Sequence, residues 1–133
     1  MKKFIQKFTK EKIESQRIKN KHYFFEKEIH PRAISAGLYL GSEGKEFKPS
    51  LALLEILSPK TQNKVFVNSK AEWLFICGRD VFMNNVVKDK SEEDVFLVQN
   101  EKDENIGLGK KKKEREGIVI KNLLDKGNYL RRE

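Results

Sequence analysis

From Val65 onward the chain is cut into short β-prone runs by turns, and only one short helix interrupts them. Val65-Phe66-Val67, Val81-Phe82-Met83, Val86-Val87, Val95-Phe96-Leu97-Val98, Ile106 to Lys111 and Gly117 to Ile120 are all short and β-branched or aromatic. Charged or glycine-bearing turns separate them, such as Asn100 to Asn105. Evenly spaced short strands of this kind read as a small β-barrel. The interrupting helix is expected from Lys70 to Cys77, with Ser69 able to cap it and Gly78 ending it. Trp73, Phe75 and Cys77 on that helix read as core residues, with Cys77 a small buried thiol. Ile106 to Lys111 is expected to be broken by its glycines, and Asn122 to Asp125 to form a turn or helical piece. Lys126-Gly127-Asn128 then leads into a last extended run, Tyr129-Leu130-Arg131.

The first half reads differently. Phe4, Ile5, Phe8, Ile13 and Ile18 could line one helix or two short pieces, and the pattern does not choose. His22 to Ile29 reads as a strand stopped by Pro31, and Gly37 to Gly41 as a second strand. Ser42 to Lys45 is a turn, and Phe47 falls on a short return strand. Ser50 then caps a leucine-rich helix over Leu51 to Leu57 that Ser58-Pro59 stops. The polar segment Thr61-Gln62-Asn63 marks the expected boundary, dividing the chain into residues 1–60 and 61–133. There is no internal repeat and no low-complexity linker.

The net charge is +8, from 28 basic and 20 acidic side chains. Such an excess favours an anionic partner. A composition rich in lysine and glutamate also marks proteins from hot environments. That does not account for Gly107-Leu108-Gly109-Lys110-Lys111-Lys112-Lys113-Glu114-Arg115, where cations follow one another behind two glycines. Glycine leaves the backbone uncovered, and lysine neutralises phosphate. If Lys110 to Lys113 continue a strand, alternate lysines face opposite ways. If they form a loop, all can turn outward.

Catalytic chemistry finds little support. His22 and His30 have no metal or triad spacing, and the single Cys77 excludes an internal disulfide or a cysteine zinc cluster. No phosphate loop or dinucleotide fingerprint is present. No enzymatic activity, cofactor or metal is expected. No apolar run reaches the roughly 20 residues of a membrane span, and the N-terminus lacks a secretory pattern, so a cytoplasmic protein is expected.

The order of a strand, Ala71-Glu72-Trp73-Leu74-Phe75-Ile76-Cys77-Gly78-Arg79-Asp80-Val81, a strand pair, Ile106-Gly107-Leu108-Gly109 and a closing Gly127-Asn128-Tyr129-Leu130-Arg131-Arg132 resembles a PUA domain. This is the RNA-binding pseudo-barrel named after pseudouridine synthases and archaeosine transglycosylases. Gly37-Leu38-Tyr39-Leu40-Gly41 and Phe47-Lys48-Pro49-Ser50-Leu51 are similar to the pre-PUA region of the ribosome-biogenesis factor nuclear import protein seven and its archaeal relatives. The resemblance implies an α+β chain, with a small N-terminal α/β (pre-PUA) module followed by a C-terminal PUA pseudo-β-barrel. It implies a non-catalytic RNA-binding factor in large-subunit rRNA maturation, with structured rRNA (or tRNA) as partner and a ribosome-assembly protein on residues 1–60. The implied RNA cleft lies between the end of the first PUA helix and the glycine strand, at Gly78, Arg79, Gly107, Gly109, Lys110, Lys111, Lys112, Lys113 and Arg115. Arg79 is also placed to pair with Asp80 or to favour the helix C-terminus. A protein–protein adaptor, or an accessory subunit of an RNA-modifying enzyme such as a transglycosylase or pseudouridine synthase, is the alternative.

Overall fold

A computed structural model of the chain describes residues 1–25 and 37–128. The expected stop at Pro31 and the final extended run Tyr129-Leu130-Arg131 lie outside those residues. The ambiguous first stretch is two pieces, a helical turn α1 (Lys2–Ile5) and a strand β1 (Gln16–Ile18). β2 (Lys21–Phe24), β3 (Leu38–Ser42) and β4 (Lys48–Pro49) complete a four-stranded antiparallel sheet in the order β1-β2-β3-β4. α2 (Leu51–Leu57) follows. The Ser50 hydroxyl accepts from the Leu53 N–H at 3.1 Å and donates to the Tyr39 carbonyl at 2.7 Å, so the cap also ties the helix to β3. A 3₁₀ turn, Ser58–Lys60, ends it.

The remainder forms the second sheet. β5 (Lys64–Val67), β6 (Val81–Phe82), β7 (Val86–Asp89), β8 (Val95–Gln99), β9 (Asn105–Glu114) and β10 (Gly117–Asp125) run in the order β6-β10-β9-β8-β5-β7. Every neighbour is antiparallel except β5 and β8. The sheet curls strongly. β7 lies three strands from β9, roughly 14 Å away in a flat sheet. Yet Lys111 Nζ on β9 meets Asp89 Oδ2 on β7 at 2.5 Å. The fold is thus α+β with a half-closed barrel, as expected from the spacing of the strands.

α3 (Ser69–Ile76) plugs the barrel. Its cap is Asn68 rather than Ser69: the Asn68 Oδ1 accepts from the Ala71 N–H at 2.9 Å, one residue earlier than the sequence suggests. Gly78, at φ +93°, closes the helix, with the Arg79 N–H on the Leu74 carbonyl and the Gly78 N–H on the Phe75 carbonyl. That double bond pattern satisfies the last carbonyls of the helix. Ala71 and Phe75 point into the barrel with Val65, Val67, Phe96, Val98, Ile106 and Ile120. Trp73 and Cys77 do not: both are exposed, Trp73 at 68%. A helix packed on one side only buries one stripe of its surface, and four places separate these two residues on the other stripe.

β9 and β10 are longer than expected. β9 runs unbroken through both glycines and all four lysines, and β10 continues to Asp125 where a turn was expected. The ladder between them slips once, between Asn122 and Leu124. Alternation along β8 and β9 serves two cores. Phe96 and Val98 face the barrel interior, while Leu97 and Leu108 face a second cluster made with Ile5, Phe8, Leu40, Leu53, Leu54 and Leu57. α1, the turn after it, β3 and α2 therefore cover the outer face of the second sheet. The break near residue 60 divides the sheets, but the apolar packing runs across it.

Candidate nucleic-acid interface

Gly107 and Gly109 are buried. A Cβ at Gly107 would fall onto the Leu124 carbonyl oxygen and lie 2.7 Å from the Phe75 ring. At Gly109 it would lie 2.7 Å from Ile120 Cγ2 and 2.9 Å from Val98 Cγ2. These residues are small so that Phe75 and Ile120 can pack on the strand. The uncovered backbone expected over Gly107–Gly109 is not there, because the barrel core occupies that space.

The lysine run is strand, so its side chains part. Lys111 and Lys113 share the face of Gly109, opposite Ile120 and Ile118. Lys111 is spent on Asp89, and the pair closes the mouth of the barrel. Lys110 and Lys112 share the opposite face. Lys110 stands directly across from Lys121 on β10, and Lys112 lies two places further along. Like charges facing each other across two strands repel. Among the described residues neither Lys110 nor Lys121 has an ion pair, and Lys112 has only Glu114 at 3.6 Å. Beside Lys110, a pocket of about 390 Å³ is lined also by Lys3, Lys7, Glu46, Asp94 and Leu123. Lys7 holds Asp94 at 2.8 Å. The arrangement is a cationic ridge in which Asp94, held by Lys7, also feels the charge of Lys110.

The helix-end turn approaches the same hairpin from its other edge. Asn122, the partner of Gly109 on β10, donates its side-chain amide to the Phe75 carbonyl at 2.8 Å and to the Arg79 carbonyl at 3.4 Å. Its N–H donates to Asp80 Oδ1 at 2.8 Å. Asp80 is thus committed to the backbone of β10. Arg79 is exposed, and among the described residues it has no ion pair with Asp80 or any other acid. Arg115 sits at the β9–β10 hairpin end. It lines a broad cleft with the exposed Phe82 and Ile118, but also with Asp80, Glu114 and Glu116, so positive charge does not dominate there.

Sequence reasoning missed Lys121 and Lys3, which only strand register and chain packing bring to Lys110. It also placed Trp73 inside. No periodicity over so short a helix could tell which stripe faces out.

Among the described residues, four carboxylates are held below their ordinary range. At Asp89 and Asp103 partial burial works upward but is outweighed, at Asp89 by hydrogen bonds from Lys111 and Ser91 and at Asp103 by those from Gln99 and Lys64. The Lys7 hydrogen bond lowers Asp94, and the α-amino group with His22 lowers Glu43. A depressed carboxylate adds stability above its unfolded value and loses it as pH falls through the lower folded value. Resistance to urea should therefore be flat above about pH 5 and decline below about pH 4. Asp89→Asn should flatten that acid limb, as equilibrium unfolding at a series of pH values will show.

Among the described residues, no three His, Cys, Asp or Glu side chains gather as a metal site, and no helix is long and apolar enough to cross a membrane.

A half-closed six-stranded barrel plugged by one helix, with a buried glycine strand ending in a cationic hairpin, defines a PUA-type domain, a class that generally binds RNA. Residues 63–133 match the family model described as UPF0113 PUA domain, and with over half its length matched the chain belongs to that family. It is 31% identical over 108 residues to a UPF0113 protein of Archaeoglobus fulgidus, a match covering 74% of this chain and 62% of that protein. The chain therefore spans less than two thirds of this relative's length. The solved structure of a conserved PUA domain protein from Thermoplasma acidophilum is similar in fold, with a TM-score of 0.57 at 21% identity over 71% of this chain and 68% of that one.

Proposed function

We propose that this protein is a non-catalytic RNA-binding factor whose hairpin β9–β10 grips the backbone of a structured RNA. The observation that carries the reading is the exposed cross-strand pair Lys110–Lys121 with Lys112 beside it: among the described residues neither Lys110 nor Lys121 has an ion pair, and Lys112 has only Glu114 at 3.6 Å. A phosphate between two facing ammonium groups removes their repulsion and releases counter-ions. Lysine binds phosphate as a point charge without reading bases, so affinity should depend on salt more than on sequence. Lys113, Arg115 and the turn Gly78-Arg79 extend the surface, with Arg79 free to meet a second phosphate. Gly107 and Gly109 contribute by shaping the strand and do not touch the RNA. Lys111 remains with Asp89.

At the finer level we read the target as ribosomal RNA and the protein as an assembly factor of the large subunit acting in the cytoplasm. Residues 1–60 form the module that contacts a partner. The exposed apolar side chains of the first sheet support this: Ile18, Phe24, Leu38 and Tyr39 are all exposed, and Phe24 and Leu38 stand opposite each other on β2 and β3. The same observation favours a second reading, a protein–protein adaptor for which RNA is incidental. A stable protein partner retained after nuclease treatment, with no loss on hairpin substitution, would favour the adaptor.

The test is a titration of structured RNA at several salt concentrations. Lys110→Gln, Lys112→Gln and Lys121→Gln combined should weaken binding about 100-fold at low salt and flatten the salt slope by about 2 to 3. Lys111→Gln should change neither by more than about 2-fold, since its charge is already neutralised. Unchanged affinity and slope in the triple variant would exclude the hairpin as the site.

A further inference from the structure

We propose that the N-terminal half carries a separate pocket for a phosphorylated nucleoside, built by α1, the segment after it and His22. The cavity is about 600 Å³. That lies within the roughly 300–1,000 Å³ of small-molecule sites. Three features define what it takes.

Its rim is cationic. Lys2, Lys10 and Lys12 line it, and among the described residues none of them has an ion pair. The single acid on the rim, Glu11, is turned to Lys60 at 2.6 Å. The pocket therefore presents positive charge without an ion-pair partner among the described residues, and an anion suits it.

Its wall is apolar. Ile5, buried in the core, and Ile13 line the same cavity. Inorganic phosphate would leave that wall unused, whereas the face of a base and the carbons of a ribose would cover it.

Its inner side holds an orphaned polar atom. His22 is only 9% exposed. Its Nε2 lies 2.9 Å from Glu43 Oε1, and its Nδ1 has no hydrogen-bond partner. In the neutral tautomer that carries its proton on Nε2, facing the carboxylate, Nδ1 is a bare acceptor. A buried acceptor without a donor is unfavourable. Nδ1 is enclosed, so a donor reaches it only when the residues that cover it move aside. The amine of an adenine or cytosine base is such a donor, and an apolar acid such as a fatty acid has none to offer.

The site does not depend on the hairpin. A mononucleotide and an unpaired nucleotide of an RNA share the required chemistry.

Isothermal titration of the full chain with AMP, adenosine and inorganic phosphate tests it. One AMP should bind per chain, at least about 10-fold tighter than adenosine or phosphate, since both parts of the ligand are used. Lys10→Gln with Lys12→Gln, both on the surface, should weaken AMP about 10-fold, and Ile13→Trp should fill the cavity and abolish binding. The triple hairpin variant should bind AMP as the wild type does, even if hairpin binding of RNA proves wrong. An unpaired adenylate hexamer that displaces AMP identifies RNA as the source; failure to displace it identifies the free nucleotide. No saturable AMP binding, equal affinity for phosphate and AMP, or full affinity in the Lys10/Lys12 variant would overturn the proposal.

Discussion

Gly107→Ala should destabilise the protein by about 3 kcal/mol or more, the largest effect of any single methyl group in the chain. Two mechanisms add at this position. The backbone sits at φ +155°, which side chains other than glycine rarely adopt. The new Cβ would also collide with the Leu124 carbonyl, which is backbone of the neighbouring strand, and press on Phe75. Neither can retreat cheaply, because Phe75 is fully buried and Leu124 lies beside the slip in the β9–β10 ladder. Gly117→Ala is the control. It also has positive φ, +124°, but nothing within 4 Å of its Cβ, so it isolates the conformational part, about 1 kcal/mol. Gly109→Ala should fall between, since its collisions are with the side-chain methyl groups of Ile120 and Val98. Urea midpoints of the three variants give the order directly. If Gly107→Ala lost no more than Gly117→Ala, the packing role assigned to this glycine would be wrong.

Asn63→Leu should cost about 3 kcal/mol, and the loss should appear in both halves of the molecule at once. Asn63 is 1% exposed and uses both ends of its amide. Its Nδ2 donates to the Lys7 carbonyl at 3.1 Å and to the Val95 carbonyl at 2.9 Å. Its Oδ1 accepts from the N–H of Glu92 at 2.8 Å. One side chain therefore ties the turn after α1, the start of β8 and the loop before it. Leucine of similar size fills the space but leaves backbone groups unpaired in a site with little water. Asn63→Asp keeps the acceptor and loses the donor, and sets a carboxylate against the carbonyl oxygens of Lys7 and Val95, so it should not rescue. Hydrogen exchange should report the change at Glu92, whose amide loses its acceptor. An effect confined to the second sheet would show that residues 1–60 are held by apolar packing alone.

Much of the fold could be read from the chain because local rules set it. Ser50 caps α2 and Gly78 ends α3, each for a reason contained within a few residues. The strand-forming runs Val65–Val67 and Val95–Val98 fall where β-branched residues cluster. What failed did so at longer range. β9 passes through its glycines because Phe75 and Ile120 fill the space above them, and those residues are far away in sequence. β10 runs past Asn122 because β9 offers it a partner. Cys77 and Trp73 lie outside because the barrel covers only one stripe of α3.

The lysine run makes the same point for the site. Composition and spacing alone identify a cationic segment behind a Gly-x-Gly, and local alternation already says that a strand would split it in two. Which half is available is decided elsewhere. Asp89, three strands away, neutralises Lys111 because the sheet curls. Lys121 doubles the charge at Lys110 because the register of β10 places it there. Electrostatics acts through space, so a count of charges along the chain determines only the sign and size of the excess, while the pairing of strands determines which cations stand without an acid beside them.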